Sequence, residues 1–240
     1  AFRDLAVSAC TNTGIFGGIG AVVESCRVHD GSGSYGILVS TGSTLSNCTV
    51  SFNSVNYGLS AGAGSTLSNC AAMENTATYG IHTSGGSSLI NCSACSNTAT
   101  YGIYSGSGSS LTNCTANQNV SGKPTSAGIG TATGCTLTGC AAYGNTSSAA
   151  ISSPATGMGF QLGPSNLIQN CTATSNEGDG INMPEYCVVR DNVCAGNGFG
   201  SGDGAGIHAS YNRNRIENNN VIGNDRGIDV DGADSVIIKN

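Results

Sequence analysis

The sequence has few of the residues that would indicate a helical, nucleic-acid-binding or membrane protein. It contains no tryptophan, four prolines and only 9% charged residues. Eight lysines and arginines stand against fourteen acidic residues, so the formal net charge is −6. Neutralising nucleic-acid phosphates takes a cluster of basic side chains, which this composition does not supply. The apolar residues never form a run long enough to cross a bilayer. We therefore expect neither a nucleic-acid partner nor a membrane span.

The sequence does contain a repeat with a period of 22 residues. Five cysteines follow one another at this spacing, namely Cys26, Cys48, Cys70, Cys92 and Cys114. A Tyr-Gly-apolar motif and a Leu-x-Asn-Cys motif recur with the same period. A fixed period of this size is typical of a solenoid, in which each repeat buries its apolar face against the next.

Three columns of residues extend this period over the chain. The first consists of Cys10, Cys26, Cys48, Cys70, Cys92, Cys114, Cys140, Cys171, Asn192, Asn219 and Asn240. The second follows a glycine and consists of Ile15, Ile37, Leu59, Ile81, Ile103, Ile129, Phe160, Ile181, Ile207 and Ile228. The third lies two residues after the first and consists of Val28, Val50, Ala72, Ala94, Ala116, Ala142, Ala173, Cys194 and Val221. Three short segments of alternating polarity per period predict three strands per coil.

Residue chemistry narrows the fold to a parallel β-helix. The repeats are rich in serine, threonine, asparagine and glycine, with 37 glycines in all, and these residues disfavour helices. A leucine-rich repeat would need an L-x-L strand and a return element that are absent, and a hexapeptide helix would need a period built of sixes. We predict an all-β solenoid of about 11 coils that forms a single domain over residues 1–240. The segment opens almost directly into a strand and stops mid-coil, so we expect a fragment that lacks one or both caps.

Several segments resemble the secreted bacterial right-handed parallel β-helix proteins of the pectate-lyase-like superfamily. The resemblance is carried by segments such as 64–70 (GSTLSNC), 204–208 (GAGIH), 214–219 (NRIENN) and 225–231 (DRGIDVD). It implies a right-handed coil, a secreted or cell-surface location and a polysaccharide partner. The superfamily includes lyases, hydrolases, epimerases, tailspikes and proteins of unknown role, so the resemblance does not choose an activity.

Insertions fall at one corner of the predicted coil. The step between column cysteines lengthens to 26 residues from Cys114 to Cys140 and to 31 residues from Cys140 to Cys171, and a step of 27 follows Asn192. Each insertion lies between a recurring asparagine and the next Gly-apolar strand. In the superfamily that the sequence resembles, this corner borders the cleft that holds polysaccharide.

The twelve cysteines allow two interpretations. An exported protein with this many cysteines favours disulfides. However, parallel side chains one strand apart keep their Cβ atoms farther from each other than a disulfide prefers. We expect the column to hold buried thiols that act as small apolar filler. Cys92 and Cys95 form a single C-x-x-C pair without a second pair, which disfavours a zinc site.

The candidate site lies in the last coils, where the acidic residues concentrate. The position after each Gly-apolar pair points outward, and in three successive coils it holds Asn182, His208 and Asp229, with Asp231 on the last of these strands. We predict these four as catalytic candidates. The substrate-binding candidates are Gln161, Asp179, Asp203, Tyr211 and Arg226. A histidine beside a carboxylate can serve as a general base, and paired aspartates can protonate a glycosidic oxygen or hold Ca²⁺. We expect no resident cofactor, with Ca²⁺ as the open alternative. Terminal coils that are merely divergent and solvated would also carry such residues.

Two functions remain open from the sequence. We favour an extracellular module whose long surface serves polysaccharide binding or structural and adhesive assembly with a neighbouring protein. The alternative is a polysaccharide lyase, glycoside hydrolase or epimerase that acts at the outward column. The paired-Asp and Arg-x-Lys motifs of polygalacturonases are missing, since 213–215 reads Arg-Asn-Arg. A predicted stack of tyrosines, Tyr35, Tyr57, Tyr79 and Tyr101, either binds sugar rings or holds the coils in register.

Overall fold

The computed structural model describes residues 1–123, 125–148, 156–199 and 204–240. Over this part of the chain, three parallel sheets of 11, 10 and 10 strands wind around a shared interior, and two further strands form a small fourth sheet. Each coil adds one strand to each main sheet, so the predicted all-β solenoid with three strands per coil is confirmed. None of the described residues forms a helix with the length and apolarity needed to cross a bilayer.

The three main sheets are numbered in the order in which the chain enters them. Sheet 1 contains Phe2–Arg3, Val22–Glu24, Thr44–Ser46, Thr66–Ser68, Ser88–Ile90, Ser110–Thr112, Thr136–Thr138, Leu167–Gln169, Val188–Arg190, Arg215–Glu217 and Val236–Ile238. Sheet 2 contains Ala6–Ser8, Arg27–His29, Thr49–Ser51, Ala71–Met73, Ser93–Cys95, Thr115–Asn117, Ala141–Tyr143, Thr172–Thr174, Val193–Ala195 and Asn220–Ile222. Sheet 3 contains Thr13–Gly17, Ser32–Val39, Ser54–Ala61, Tyr79–Thr83, Tyr101–Ser105, Ala127–Thr131, Met158–Gln161, Ile181–Met183, Ala205–Ala209 and Arg226–Val230. The small sheet pairs Val120–Ser121 with Thr146–Ser147.

Strand register stacks each residue on its equivalent in the next coil. In sheet 1, Leu67 pairs with Leu89, one period away. The insertions do not disturb this register, because in sheet 2 Ala142 still pairs with Ala173 across the longest step. A shift by one residue would turn every apolar side chain outward, so the buried face fixes the register. The repeat of the sequence is therefore a repeat of the structure.

The interior is formed by the predicted inward columns. Leu67, Ala72 and Ile81 belong to sheets 1, 2 and 3 of one coil, and each is 0% exposed. The equivalent positions of the neighbouring coils are buried in the same way. Burying one Leu or Ile side chain contributes about 1.5–3 kcal/mol, so a continuous column of them stabilises the solenoid along its length.

A ladder of asparagines lines the corner between sheets 2 and 3. Its members are Asn53, Asn75, Asn97, Asn119, Asn145, Asn176, Asn197 and Asn224. The Asn75 side chain donates to Val50 O at 3.0 Å and to Asn97 Oδ1 at 3.0 Å, and the same Oδ1 accepts the backbone N–H of Asn75 at 3.0 Å. The ladder thus satisfies buried backbone groups where the chain turns, which an apolar residue cannot do.

The cysteine column lines the corner between sheets 1 and 2 from Cys26 onward. The assignment of Cys10 to this column is wrong, because Val7 pairs with Val28 and places Cys10 at the corner between sheets 2 and 3. All twelve cysteines lie in described parts of the chain, and all are free thiols. The Cys92 thiol donates to Leu67 O at 3.6 Å and to Ile90 O at 3.5 Å. Where the column changes to asparagine, Cys171 N–H donates to Asn192 Oδ1 at 2.8 Å, so the amide takes over at the same place. Cysteine and asparagine are interchangeable here because both fit the turn and hydrogen-bond its backbone.

Two further cysteines belong to a column that the sequence reading missed. Cys135 and Cys187 lie at the corner between sheets 3 and 1, and both are buried. Serines and asparagines occupy this position elsewhere, namely Ser43, Ser65, Ser87, Ser109, Asn166 and Asn214. Burial raises the pKa of Cys187 to about 11, so its thiol is neutral at physiological pH.

Candidate functional site

The candidate residues lie on the outer face of sheet 3. The register pairs Gln161 with Asn182, Asn182 with His208 and His208 with Asp229. The outward column expected from the sequence is therefore present, with each member one strand from the next. Asp231 follows the last strand of the sheet and is exposed.

His208 is held between two carboxylates. Its Nδ1 contacts Asp179 Oδ2 at 2.9 Å, and its Nε2 contacts Asp231 Oδ2 at 3.0 Å. The hydrogen bond to Asp179 raises the pKa of His208 most; partial burial lowers it, the bond to Asp231 raises it again, and the pKa is about 9. At neutral pH the ring is therefore an imidazolium that donates both N–H groups, so it is poised as a proton donor rather than as the general base that the sequence suggests.

Asp179 has a different place from the one expected. The sequence predicts it as a substrate-binding residue, but its side chain is 0% exposed and cannot reach a ligand on the surface. Instead, Oδ1 accepts a hydrogen bond from the Ala205 N–H at 2.8 Å. Oδ2 accepts one from the Asn182 side-chain amide at 2.8 Å and one from the His208 imidazolium. Asp179 is thus a positioning residue that fixes Asn182 and His208. The other expected flanking aspartate, Asp203, lies outside the described residues.

Arg226 and Asp229 form an ion pair beside the imidazolium. Arg226 Nη1 donates to Asp229 Oδ2 at 2.7 Å. A polar atom of each of His208, Asp229 and Asp231 lies within 4.8 Å of the others. These two carboxylates are far fewer oxygen ligands than the six to eight that Ca²⁺ takes, and Arg226 already neutralises one of them. The residues present therefore fit a hydrogen-bonding site better than a calcium site.

Gln161 joins this column to a cluster of aromatic rings. The Tyr101 hydroxyl donates to Gln161 Oε1 at 2.6 Å. The predicted tyrosine stack is present, with ring centroids 5.0 Å apart for Tyr35 and Tyr57, and 5.8 Å apart for Tyr79 and Tyr101. The sequence reading missed its second row, in which the His82 and Tyr104 rings stack 5.9 Å apart against the tyrosines. Close ring packing from coil to coil favours a role in holding the coils in register.

Tyr211, the last predicted binding residue, lies at the corner that leads from sheet 3 to sheet 1. It is 61% exposed. With Glu185, Tyr186, Asn212 and Arg213 it lines an open cleft of about 440 Å³. The sequence reading did not identify Tyr186 or Arg213 as partners of Tyr211.

Comparison with known families agrees with the observed architecture. The family model described as "Right handed beta helix region" matches residues 2–140 and 79–240. The chain belongs to the right-handed β-helix family. The right-handed β-helix expected from the sequence resemblance is thereby confirmed. No curated protein is significantly similar to the chain in sequence.

Three solved structures illustrate the likeness. The A-module of a mannuronan C-5 epimerase from Azotobacter vinelandii aligns with a TM-score of 0.67 at 12% identity, over 90% of this chain and 62% of that one. A pectate lyase aligns with a TM-score of 0.52 at 16% identity, over 96% of this chain and 69% of that one. The periplasmic alginate epimerase AlgG aligns with a TM-score of 0.52 at 11% identity, over 98% and 76%. This chain spans less than two thirds of the first of them, and such low identities show the fold alone.

Proposed function

We propose that this chain is a secreted or cell-surface module that binds a polysaccharide along the outer face of sheet 3. The observation that carries the proposal is the Asp179–His208–Asp231 arrangement, in which a buried carboxylate fixes a charged, outward-facing side chain. Burying a carboxylate costs desolvation free energy, which its hydrogen bonds offset, and the result is a polar side chain held in one orientation at the surface, as a binding site requires. The polysaccharide-acting proteins of similar fold support the choice of partner.

The face suits an extended glycan. Its polar groups repeat at the strand spacing of ~4.8 Å, which is close to the length of one sugar unit in a linear chain. Asn182, His208, Asp229 and Asp231 offer donors and acceptors that match sugar hydroxyls. The ion pair with Arg226 and the bonds to Asp179 hold these side chains in place before a ligand arrives, which reduces the entropy lost on binding.

Binding measurements on a panel of polysaccharides test the proposal. The panel should include neutral glucans, mannans and xylans as well as polyuronates, because the sugar is unknown. We expect at least one to bind, and we expect His208→Ala and Asp231→Asn to weaken that binding about tenfold or more. Thr112→Ala, on the outer face of sheet 1, is the matched control and should bind as the wild type does. A wild type that binds no member, or a His208→Ala variant with unchanged affinity, would contradict the proposal. In that case, the structural or adhesive function would be favoured.

The geometry of His208 supports a second candidate, cleavage of the bound glycan. An imidazolium can donate its Nε2 proton to the glycosidic oxygen as the C–O bond breaks, while the Asp229 carboxylate, within 4.8 Å of the ring, bonds to the anomeric carbon. Water, which loses its proton to the now neutral His208, then hydrolyses this glycosyl ester and frees Asp229. If the wild type releases new reducing ends from a panel member, His208→Ala should lower that rate about 10²-fold without a comparable loss of affinity. Equal rates in the two proteins would remove His208 from the catalytic role and leave the binding function in place.

A further inference from the structure

The cleft beside Tyr211 lies directly next to the His208 cluster. Asp231 contacts His208, and the next residue, Gly232, packs so closely on the backbone of Tyr211 that a Cβ at this glycine would overlap it. Ala233 N–H then donates to Asn212 Oδ1 at 2.8 Å. A ligand that reaches Asp231 is therefore also at the rim of the cleft.

Two aromatic rings and one guanidinium form the walls of the cleft. Tyr186 and Tyr211 are 52% and 61% exposed, so both side chains are accessible to a ligand in solvent. Arg213 Nη1 donates to the Tyr186 hydroxyl at 2.7 Å, and its guanidinium lies 5.7 Å from the centre of the Tyr186 ring. These contacts fix the Tyr186 ring on the rim and leave the Tyr211 ring open to solvent.

Tyr186 and Arg213 have a backbone conformation that is unfavourable for residues with large side chains. Tyr186 and Arg213 occupy a turn position with positive φ, at 60° and 62°. The same position holds glycine with φ of 65–70° in the first six coils, at Gly20, Gly42, Gly64, Gly86, Gly108 and Gly134, and it holds Ser165 and Asp234 in the coils on either side of the cleft. A non-glycine residue with a bulky side chain in this conformation costs about 1–2 kcal/mol. Among the residues at this position, Tyr186 and Arg213 have the largest side chains, and both line the cleft.

We propose that this cleft is a sugar-binding subsite for one uncharged hexopyranose unit of the polysaccharide that sheet 3 binds. The inference rests on the proposed function and extends it to a substrate class. The apolar C–H face of a pyranose packs on an exposed aromatic ring such as that of Tyr211, because both bury apolar surface. Its hydroxyls can donate to Glu185 and accept from Arg213.

Charge favours an uncharged sugar over a uronate. The ionisable groups that line the cleft, Glu185 and Arg213, cancel each other. Arg213 also lies 3.8 Å from Asp234, and the chain as a whole carries a net charge of −6. A polyuronate would add repulsion from these carboxylates, whereas neutral hydroxyls would not.

Substitutions by glycine give a clean test, because they restore the residue that the first six coils have at this position. We expect Tyr186→Gly and Arg213→Gly to retain or raise the melting temperature, and each to weaken binding of neutral hexasaccharides of β-1,4-linked glucose or mannose about tenfold. Tyr211→Ala should weaken binding similarly. Ser165→Gly is the matched control, since Ser165 holds the same turn position outside the cleft with φ of 59°. It should leave affinity unchanged.

The outcomes separate this inference from the proposed function. Wild-type affinity that is lost in His208→Ala but unchanged in Tyr186→Gly, Arg213→Gly and Tyr211→Ala would overturn the subsite and leave the proposed function standing. Tighter binding of hexagalacturonate or hexamannuronate than of every neutral hexasaccharide would overturn the assignment to an uncharged sugar. Failure of the wild type to bind any polysaccharide of the panel would overturn both.

Discussion

At the scale of single residues, the buried carboxylate of Asp179 decides the charge of His208. A histidine on an outward strand position would ordinarily be neutral for part of the physiological pH range. Here two carboxylates, one buried and one exposed, stabilise the protonated ring. The same pair fixes the direction in which the ring points. The buried Asp179 thus sets both the charge and the orientation of the His208 side chain at the surface.

The raised pKa of His208 predicts a pH-dependent stability. Because the folded-state pKa of about 9 lies above the unfolded value of 6.5, the folded protein holds the proton more tightly. This stabilisation is complete below pH 6.5 and is lost as the pH rises through 9. Between about pH 6 and pH 10, the free energy of unfolding of the wild type should fall, relative to that of His208→Gln, on the order of 1–3 kcal/mol.

Urea denaturation of the two proteins at both pH values measures this difference. Because both proteins have the same cysteines and tyrosines, the titration of these groups cancels in the comparison. NMR titration of the imidazole adds a control. Asp179→Asn should lower the pKa of His208 more than Asp231→Asn does, because the buried partner is the stronger one. A stability difference that does not change with pH would show that these carboxylates do not raise the pKa of His208.

At the scale of structural elements, each corner of the coil uses a different type of side chain to hydrogen-bond its buried backbone groups. Chain reversal leaves backbone N–H and C=O groups in the interior, and they need partners. Asparagine amides supply them between sheets 2 and 3, thiols and amides between sheets 1 and 2, and mostly serine hydroxyls between sheets 3 and 1. Ten of the twelve cysteines are therefore corner residues of the solenoid, whereas Cys95 and Cys194 lie on strands of sheet 2, and this structural use explains why so many occur without a disulfide.

The burial of the cysteine column predicts a strong contrast in thiol reactivity. Cys10 and Cys95 are partly exposed, whereas the other ten cysteines are buried. Burial also raises the pKa of Cys194 to about 12, which disfavours the reactive thiolate. In the folded protein, iodoacetamide should modify Cys10 and Cys95 first and the others far more slowly. All twelve should react in guanidinium without reductant, as mass spectrometry of the intact protein would show. Equal labelling rates, or a mass deficit that indicates disulfides, would contradict the buried-thiol assignment.

At the scale of the whole molecule, stability is distributed along the stack of coils. Each coil buries its apolar residues against its neighbours rather than in one central core. Local damage should therefore spread to adjacent coils before it affects distant ones. The outer face of sheet 3, which carries the candidate site, depends on the coils beneath it in the same way.

The substitution Ile81→Asp tests this picture. It would place an unpaired charge where the side chain is 0% exposed, so we expect a loss of several kcal/mol and loss of amide-exchange protection in the flanking coils. Ile90→Asp is the matched control, because Ile90 is 39% exposed on the outer face of sheet 1 and should tolerate the charge. Hydrogen exchange with mass spectrometry follows both effects. A melting temperature for Ile81→Asp within about one degree of the wild type would contradict the inward assignment.

The site was only partly predictable. The outward column of Asn182, His208 and Asp229 follows from counting periods, because a parallel register places equivalent residues on successive strands. Asp179 aligns with the tyrosine column, one residue before the glycine of each repeat, so the sequence held a signal for its place on sheet 3. Its complete burial was not predictable, because that depends on how the neighbouring coils and the corner cover it.

The sequence by itself determined the solenoid, its three strands per coil and the inward columns. It could do so because a repeated sequence in parallel register makes local spacing equivalent to spatial position. Only the tertiary structure decided that Asp179 holds His208 from beneath and that Tyr186 and Arg213 meet at one cleft. These contacts join residues 26 or more positions apart at places that depart from the repeat, and side-chain direction there depends on turn conformation and packing that no period encodes.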